Sequence, residues 1–182
     1  RAASDMVSAN LLGYPYTVVS PRVSKLADLD RVDPKVFLRY LQLSSVMPVM
    51  NIAFAPWNIT DPAVAASCKA IVNDRARLGA YYEQLVSESK RTAEPVLRHL
   101  EYEVPRNGFT DCDDQFMLGS RFLIAPLLDG KNSRMVRFPR GIWVDASGKR
   151  YRGPLVTTVT ASNDHVLYFE SEKNGDTKKQ GN

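Results

Sequence analysis

Two different periodicities divide the chain. Up to about Pro105 the apolar residues recur at helical spacing between short apolar runs, and beyond it they fall into β-prone runs separated by turn residues. Asp33-Pro34 sets an N-cap acceptor before a proline at the first helical position, where its missing N–H costs nothing. From there Phe37, Tyr40, Leu41 and Ser44 form one face and Val36, Leu43 and Met47 another. The predicted helix is therefore apolar nearly all round and expected to be buried, and it stops before Pro48, whose ring would clash with the preceding turn. Asp61-Pro62 repeats the capping signal. Val64, Cys68, Ile71, Val72, Arg75, Leu78, Tyr82, Leu85 and Val86 then predict one long amphipathic helix.

The segments around these helices are shorter. Residues 1–12 read as the end of a helix, and "GYPYTVVS" (13–20) as a short buried strand punctuated by Gly13 and Pro15. Residues 21–32 are loop-like, and "VMPVMNIAFAPWNIT" (46–60) predicts a second buried strand running into a loop. The runs "QFMLGSRFLIAPLL", "SRMVRFPR", "IWVDASGKRYRG", "LVTTVTA" and "HVLYFES" have close to the spacing of an antiparallel sandwich. The fold class expected is α/β plus all-β, the end of an α/β domain followed by an antiparallel β-sandwich. The division falls at 1–105 and 106–172, with 173–182 as a disordered tail.

Composition narrows the functions. At 44% hydrophobic and 24% charged the chain is globular. Its net charge of +4 comes from scattered Lys and Arg and from the tail, without interleaved aromatics, which argues against nucleic acid as a partner. No apolar run is long enough for a transmembrane segment. The first residue is Arg, so the chain is expected to start mid-protein. Cys68 and Cys112 are too few for a disulfide framework, and pairing or two free thiols are both open. Two Cys and two His at unrelated spacings speak against a metal site.

Candidate chemistry is sparse. Asp111, Asp113 and Asp114 precede a run apolar on both alternating faces; Asp113 and Asp114 fit a turn feeding a buried strand better than an acid and base pair. His99 and His165 have no nucleophile beside them and read as structural. Asn58-Ile59-Thr60 is an N-glycosylation sequon ahead of a helix start, and its use would mean a secretory-pathway or extracellular location. Trp57 could stack on the C–H face of a sugar, whereas Trp143, in an alternating strand, is expected in the core.

Five segments in order resemble the C-terminal half of glycoside hydrolase family 31, the α-glucosidase-type (β/α)8-barrel enzymes. "LLGYPYTVVS" is similar to the barrel strand carrying G-x-P-F…D, and "FLRYLQLSSVMPVMNIAFAPW" to R-W-x-Q-x-x-x-F-x-P-x-M at the last strand. "EPVLRHLEYEVP" resembles P-V-x-R-P-L-x-x-x-x-P, "DDQFMLGSRFLIAPLLDG" resembles D-x-Q-F-M-L-G-x-x-L-L-V-A-P-V, and "RMVRFPRGIWVDASGKRYRGP" resembles the following strand pair. Pro-Trp after the last strand is similar to the myogenesis-regulating glycosidase-like branch.

The resemblance implies the C-terminal part of a (β/α)8 barrel followed by the proximal β-sandwich, and a glycosidase acting on O-glycosyl bonds, α-linked and retaining. It implies a carbohydrate substrate or glycan as partner and no metal or organic cofactor. The family's two catalytic Asp residues would lie upstream of residue 1, so this chain would hold none. Tyr16, Ser20 and Trp57 would line the rim of the sugar pocket. Ser20 stands where the family places a sugar-binding Asp, and "NIAFAPW" lacks the His that many members carry after the last strand. A non-catalytic glycosidase-like protein that binds a glycan or a protein is the alternative these departures raise.

Overall fold

The computed structural model describes residues 2–19, 32–52, 55, 58–127 and 129–172. Four helices come first: α1 (Ala2–Leu11), α2 (Pro34–Ser45), α3 (Pro62–Arg77) and α4 (Gly79–Thr92). Strand β1 (Leu97–His99) and a single helical turn, α5 (Leu100–Glu103), follow. Then come β2 (Phe116–Leu118), β3 (Phe122–Ile124), β4 (Ser133–Asp145), β5 (Arg150–Thr160) and β6 (Tyr168–Ser171).

Both capping signals form as expected. Asp33 accepts a hydrogen bond from the Lys35 N–H at 2.8 Å, and Asp61 accepts from the Ala63 and Val64 N–H groups at 2.8 and 3.3 Å. α2 is buried over most of its surface, Arg39 and Gln42 included, but Val36 in its first turn is exposed. The long helix expected after Asp61 is two. The Leu78 N–H bonds back to Arg75 rather than to residue 74, a tightened turn, and Gly79, a poor helix former, follows it.

The expected buried strand at 13–20 reduces, among the described residues, to one parallel bridge between Val18 and Val49. Thr17 and Val19 are buried, but Tyr14, Tyr16 and Val18 are exposed, because no described residue covers that side. Asn10 pins this segment. Its side-chain N–H group donates to the Thr17 hydroxyl at 2.9 Å while its oxygen accepts from the Leu97 N–H at 3.1 Å.

In place of two stacked sheets, the six strands form one antiparallel sheet in the order β1-β2-β3-β6-β4-β5. It is continuous because β6 pairs with β3 on one side and β4 on the other. A register shift between Phe138 and Gly141 bends β4, which lets the long β4–β5 hairpin curl over the rest. This explains why β2 and β3 are apolar on both faces. Phe116, Leu118, Phe122 and Ile124 pack against Val7, Tyr82 and Leu85 of the helical layer. Met117 and Leu123 face the other way, onto Val136, Phe138, Trp143 and Tyr151 of the hairpin. β1 belongs to this sheet although it precedes residue 105.

Candidate functional site

Two of the three aspartates before β2 have structural partners. Asp111 pairs with Arg137 at 2.9 Å and Asp114 with Arg134 at 2.5 Å, so both tie the lead-in turn to β4. The hydrogen bond from Arg137 holds the Asp111 carboxyl below the usual range. Arg137 also donates to the Gly108 carbonyl, and Gln115 exchanges a pair of hydrogen bonds with the Arg137 backbone at 2.9 and 3.0 Å. The turn is a staple.

The histidines and Trp143 also have structural surroundings. His99 caps α5, its Nδ1 accepting from the Glu101 N–H at 3.1 Å. Trp143 is buried and donates from Nε1 to the Pro139 carbonyl at 2.9 Å. His165 stands edge-on to Tyr168 with ring centroids 5.9 Å apart. Cys68 and Cys112 are free and buried in different clusters, so they do not pair. Burial pushes each thiol up to about 11. Among the described residues no group of three or more His, Cys, Asp or Glu is placed to hold a metal ion, and no helix is long and apolar enough to cross a membrane.

Of the residues expected at a sugar-binding rim, Ser20 and Trp57 lie outside the described residues. Tyr16 is 58% exposed and lies two positions before the Val18 bridge, on the N-terminal side of the parallel pair. Asn58 follows the other partner, Val49, and so leaves from its C-terminal side. It sits exposed in a tight turn, its N–H bonded to the Ala55 carbonyl at 3.1 Å, with Ile59 anchored beside it at 8% exposure. An exposed, anchored sequon is sterically open to modification.

What the sequence reading missed is the junction between helices and sheet. Arg39 is 4% exposed; its guanidinium donates to Gln42 Oε1 at 3.0 Å, to the Ser162 carbonyl at 2.6 Å and to the Lys131 carbonyl at 3.3 Å. Gln42 Nε2 donates to the Ser162 and Asn163 carbonyls at 3.0 and 2.9 Å, and the Ser67 hydroxyl donates to Asp164 at 2.8 Å. The loop between β5 and β6 is thus clamped from α2 and α3. Two polar side chains one helical turn apart on an otherwise apolar helix were the available signal.

Residues 93–172, from the lead into β1 to the end of β6, match the glycosyl hydrolase family 31 C-terminal domain. The match is to this stretch; the chain as a whole is similar to glycosidases in sequence and to a GH31 enzyme in fold. Among its relatives, the myogenesis-regulating glycosidase of Mus musculus is 27% identical over 176 residues, covering 90% of this chain and 25% of that protein. An alpha-glucosidase of Saccharolobus solfataricus is 36% identical over 81 residues, 41% of this chain and 11% of the other. The chain therefore spans a quarter or less of the length of these relatives. The crystal structure of a GH31 alpha-xylosidase from a soil metagenome superposes with a TM-score of 0.76 at 21% identity, over 91% of this chain and 29% of that one, a likeness of fold.

Proposed function

We propose that this chain is the C-terminal part of a glycosidase that hydrolyses O-glycosyl bonds, α-linked and with retention of configuration. Residues 1 to about 92 are the last strands and helices of its (β/α)8 barrel, and the six-stranded sheet is the domain that buttresses them. The observation that carries this reading is the parallel Val18–Val49 bridge. One side of it, at Thr17 and Val19, is buried, while Tyr14, Tyr16, Val18 and Val49 face outward uncovered. That is how two neighbouring strands of a barrel look when the strands beyond them belong to the rest of the parent.

Two carboxylates about 5 Å apart carry out retaining hydrolysis, one as nucleophile forming a glycosyl-enzyme and the other as acid and then base. Both come from the parent outside these 182 residues. The present residues contribute the rim: Trp57 packs on the apolar face of the sugar, and Tyr16 and Ser20 offer hydroxyls. The Arg39–Gln42 clamp holds the helix preceding the second strand against the sheet.

The test is hydrolysis of p-nitrophenyl α-glucoside and α-xyloside by the parent, with the anomer of the first-formed sugar followed by NMR. Release of the α-anomer supports the reading, and an inverted product or no hydrolysis refutes it. Ser20, standing where the family places a sugar-binding Asp, favours a second reading: a non-catalytic protein that binds a glycan or a protein partner. A parent lacking either catalytic carboxylate would leave that one standing.

A further inference from the structure

We propose that the cleft where α3 meets the β5–β6 loop is a binding site for a neutral polyhydroxylated ligand, one or two pyranose units of a saccharide, separate from the rim at Tyr16, Ser20 and Trp57. This does not rest on the glycosidase reading and would hold for a catalytic or a non-catalytic parent.

The site is built from one strip of α3. Ala70, Asn73, Asp74 and Arg77 follow the i, i+3, i+4, i+7 spacing that lines up side chains along a helix, and the small Ala70 leaves room. Asp164 and His165 close the cleft from the opposite loop, around a volume of about 300 Å³. A second cleft of about 330 Å³, lined by Asp145, Ser147, Ser162 and Tyr168 among others, adjoins it and shares His165. Each volume is at the low end for small-molecule sites, the size for a sugar ring rather than a large cofactor.

The walls are fixed and the polar groups are free. Ser67 holds Asp164, and Arg39 and Gln42 hold the backbone at Ser162, so the loop is already in place before any ligand arrives. By contrast the side chains of Asn73, Asp74, Arg77 and His165 make no hydrogen bond to other described residues. Asp74 is half-buried. That burial raises its carboxyl, with His165 and Arg77 drawing it back down. A carboxylate partly withdrawn from water and without hydrogen-bond donors gains from a ligand that supplies them. Sugar hydroxyls each donate and accept at once; here they meet a carboxylate acceptor, guanidinium donors, and an amide and an imidazole that do both.

Charge selects among small polar ligands. Asp74 and Asp164 in the first cleft and Asp145 in the second outnumber Arg77, which disfavours phosphate, sulfate or a uronic acid. Arg77 in turn disfavours a cation, and no metal-ligating cluster is present among the described residues. A neutral polyol is the class left.

The experiment is NMR titration of the full 182-residue chain with maltose, lactose and cellobiose, and separately with inorganic phosphate, following the His165 ring resonances. At least one disaccharide is expected to shift them with a Kd of about 1 mM, and phosphate is not. Asn73→Ala and Asp74→Asn should each weaken binding about fivefold or more, whereas Val156→Ala, at an exposed position of β5 outside both clefts and the rim, should leave it unchanged. Asn73 is exposed and outside the core, so its variant tests the site without unfolding the chain; a thermal melt checks this. Absence of any shift with all three sugars at about 50 mM overturns the proposal. So does binding that Asn73→Ala leaves intact, binding lost instead in Val156→Ala, or tighter binding of phosphate than of sugar.

Discussion

Replacing Arg39 with Met keeps the aliphatic stem and removes the charged fork, which isolates the clamp from packing. The guanidinium makes three hydrogen bonds, to Gln42, Ser162 and Lys131, from a position 4% exposed. A hydrogen bond to a charged group contributes about 1.5–3 kcal/mol net, so the three together would give at least about 4 kcal/mol. Against this stands the cost of burying the guanidinium, visible in its lowered pKa and in an Nε that has no partner. The balance left is about 2–4 kcal/mol of stability. For a chain of this size that lowers Tm by about 4–16 °C. Hydrogen exchange should locate the effect. Amides in the β5–β6 loop and at Ala161, whose N–H bonds to the Asn132 carbonyl, should lose protection before those of β2 and β3. A double-mutant cycle with Gln42→Leu should show coupling of about 1 kcal/mol, because both side chains donate to the Ser162 carbonyl. A Tm drop below about 2 °C, or protection lost uniformly, would refute the clamp.

Other outcomes are expected at single positions. Gly153→Ala should be severe, costing about 3–5 kcal/mol in urea titration, because the added methyl would overlap the Pro139 carbonyl oxygen and lie 2.9 Å from the Phe138 carbonyl oxygen, both rigid backbone. Gly119→Ala should cost less, about 1–2 kcal/mol, since the obstacles are the movable tips of Tyr81 and Leu85 and the remainder is its φ of +54°; equal losses at the two glycines would contradict this. Cys68 and Cys112 should resist thiol reagents in the native state at about pH 7.5 and react together on unfolding; fast native labelling would show that burial does not hold their thiols near 11. Since those folded-state pKa values lie above the ordinary value of 9.0, the folded chain binds the protons more tightly, so stability should fall as pH rises from about 9 through 11. Expressed through the secretory pathway, the protein should carry a glycan at Asn58, seen as a mobility shift on peptide-N-glycosidase treatment that Asn58→Gln abolishes.

Local signals in the sequence were strong where structure depends on neighbours. The Asp-Pro pairs at 33–34 and 61–62 begin α2 and α3 because the N-cap bond is made within three residues. The turn chemistry of Asp114 was legible for the same reason, although its partner, Arg134, and the pairing of Asp111 with Arg137 were not. What failed needed distant information. Val18 was expected to be buried from its apolar neighbours, yet it is 40% exposed because no described residue packs on that side. The break at Leu78 is one hydrogen bond shifted from i−4 to i−3, which hydrophobic spacing does not register. The cleft of Asp74 and His165 joins residues far apart in the chain, and Arg39 meets Ser162 over a longer separation still.

The clamp also changes what the family resemblance can argue. Arg39 and Gln42 stand at the Arg and Gln of the R-W-x-Q-like segment, and in this chain both are occupied with loop carbonyls of the sheet. Arg98, at the Arg of the P-V-x-R-like segment, is 7% exposed and paired with Glu103 at 2.8 Å, with Glu94 and Glu88 farther off. These side chains hold helices to sheet, so a protein that had lost catalysis would keep them as firmly as one that had not. Their presence supports the fold and is neutral between hydrolysis and binding. Ser20 is different: it lies outside the described residues, and a sugar-binding site distinguishes a hydroxyl from a carboxylate by a charge-assisted hydrogen bond. Ser20→Asp in the parent is therefore the informative change. A rise in kcat/KM would place residue 20 in the sugar site of an active glycosidase, and no effect on hydrolysis or glycan affinity would remove it from the rim.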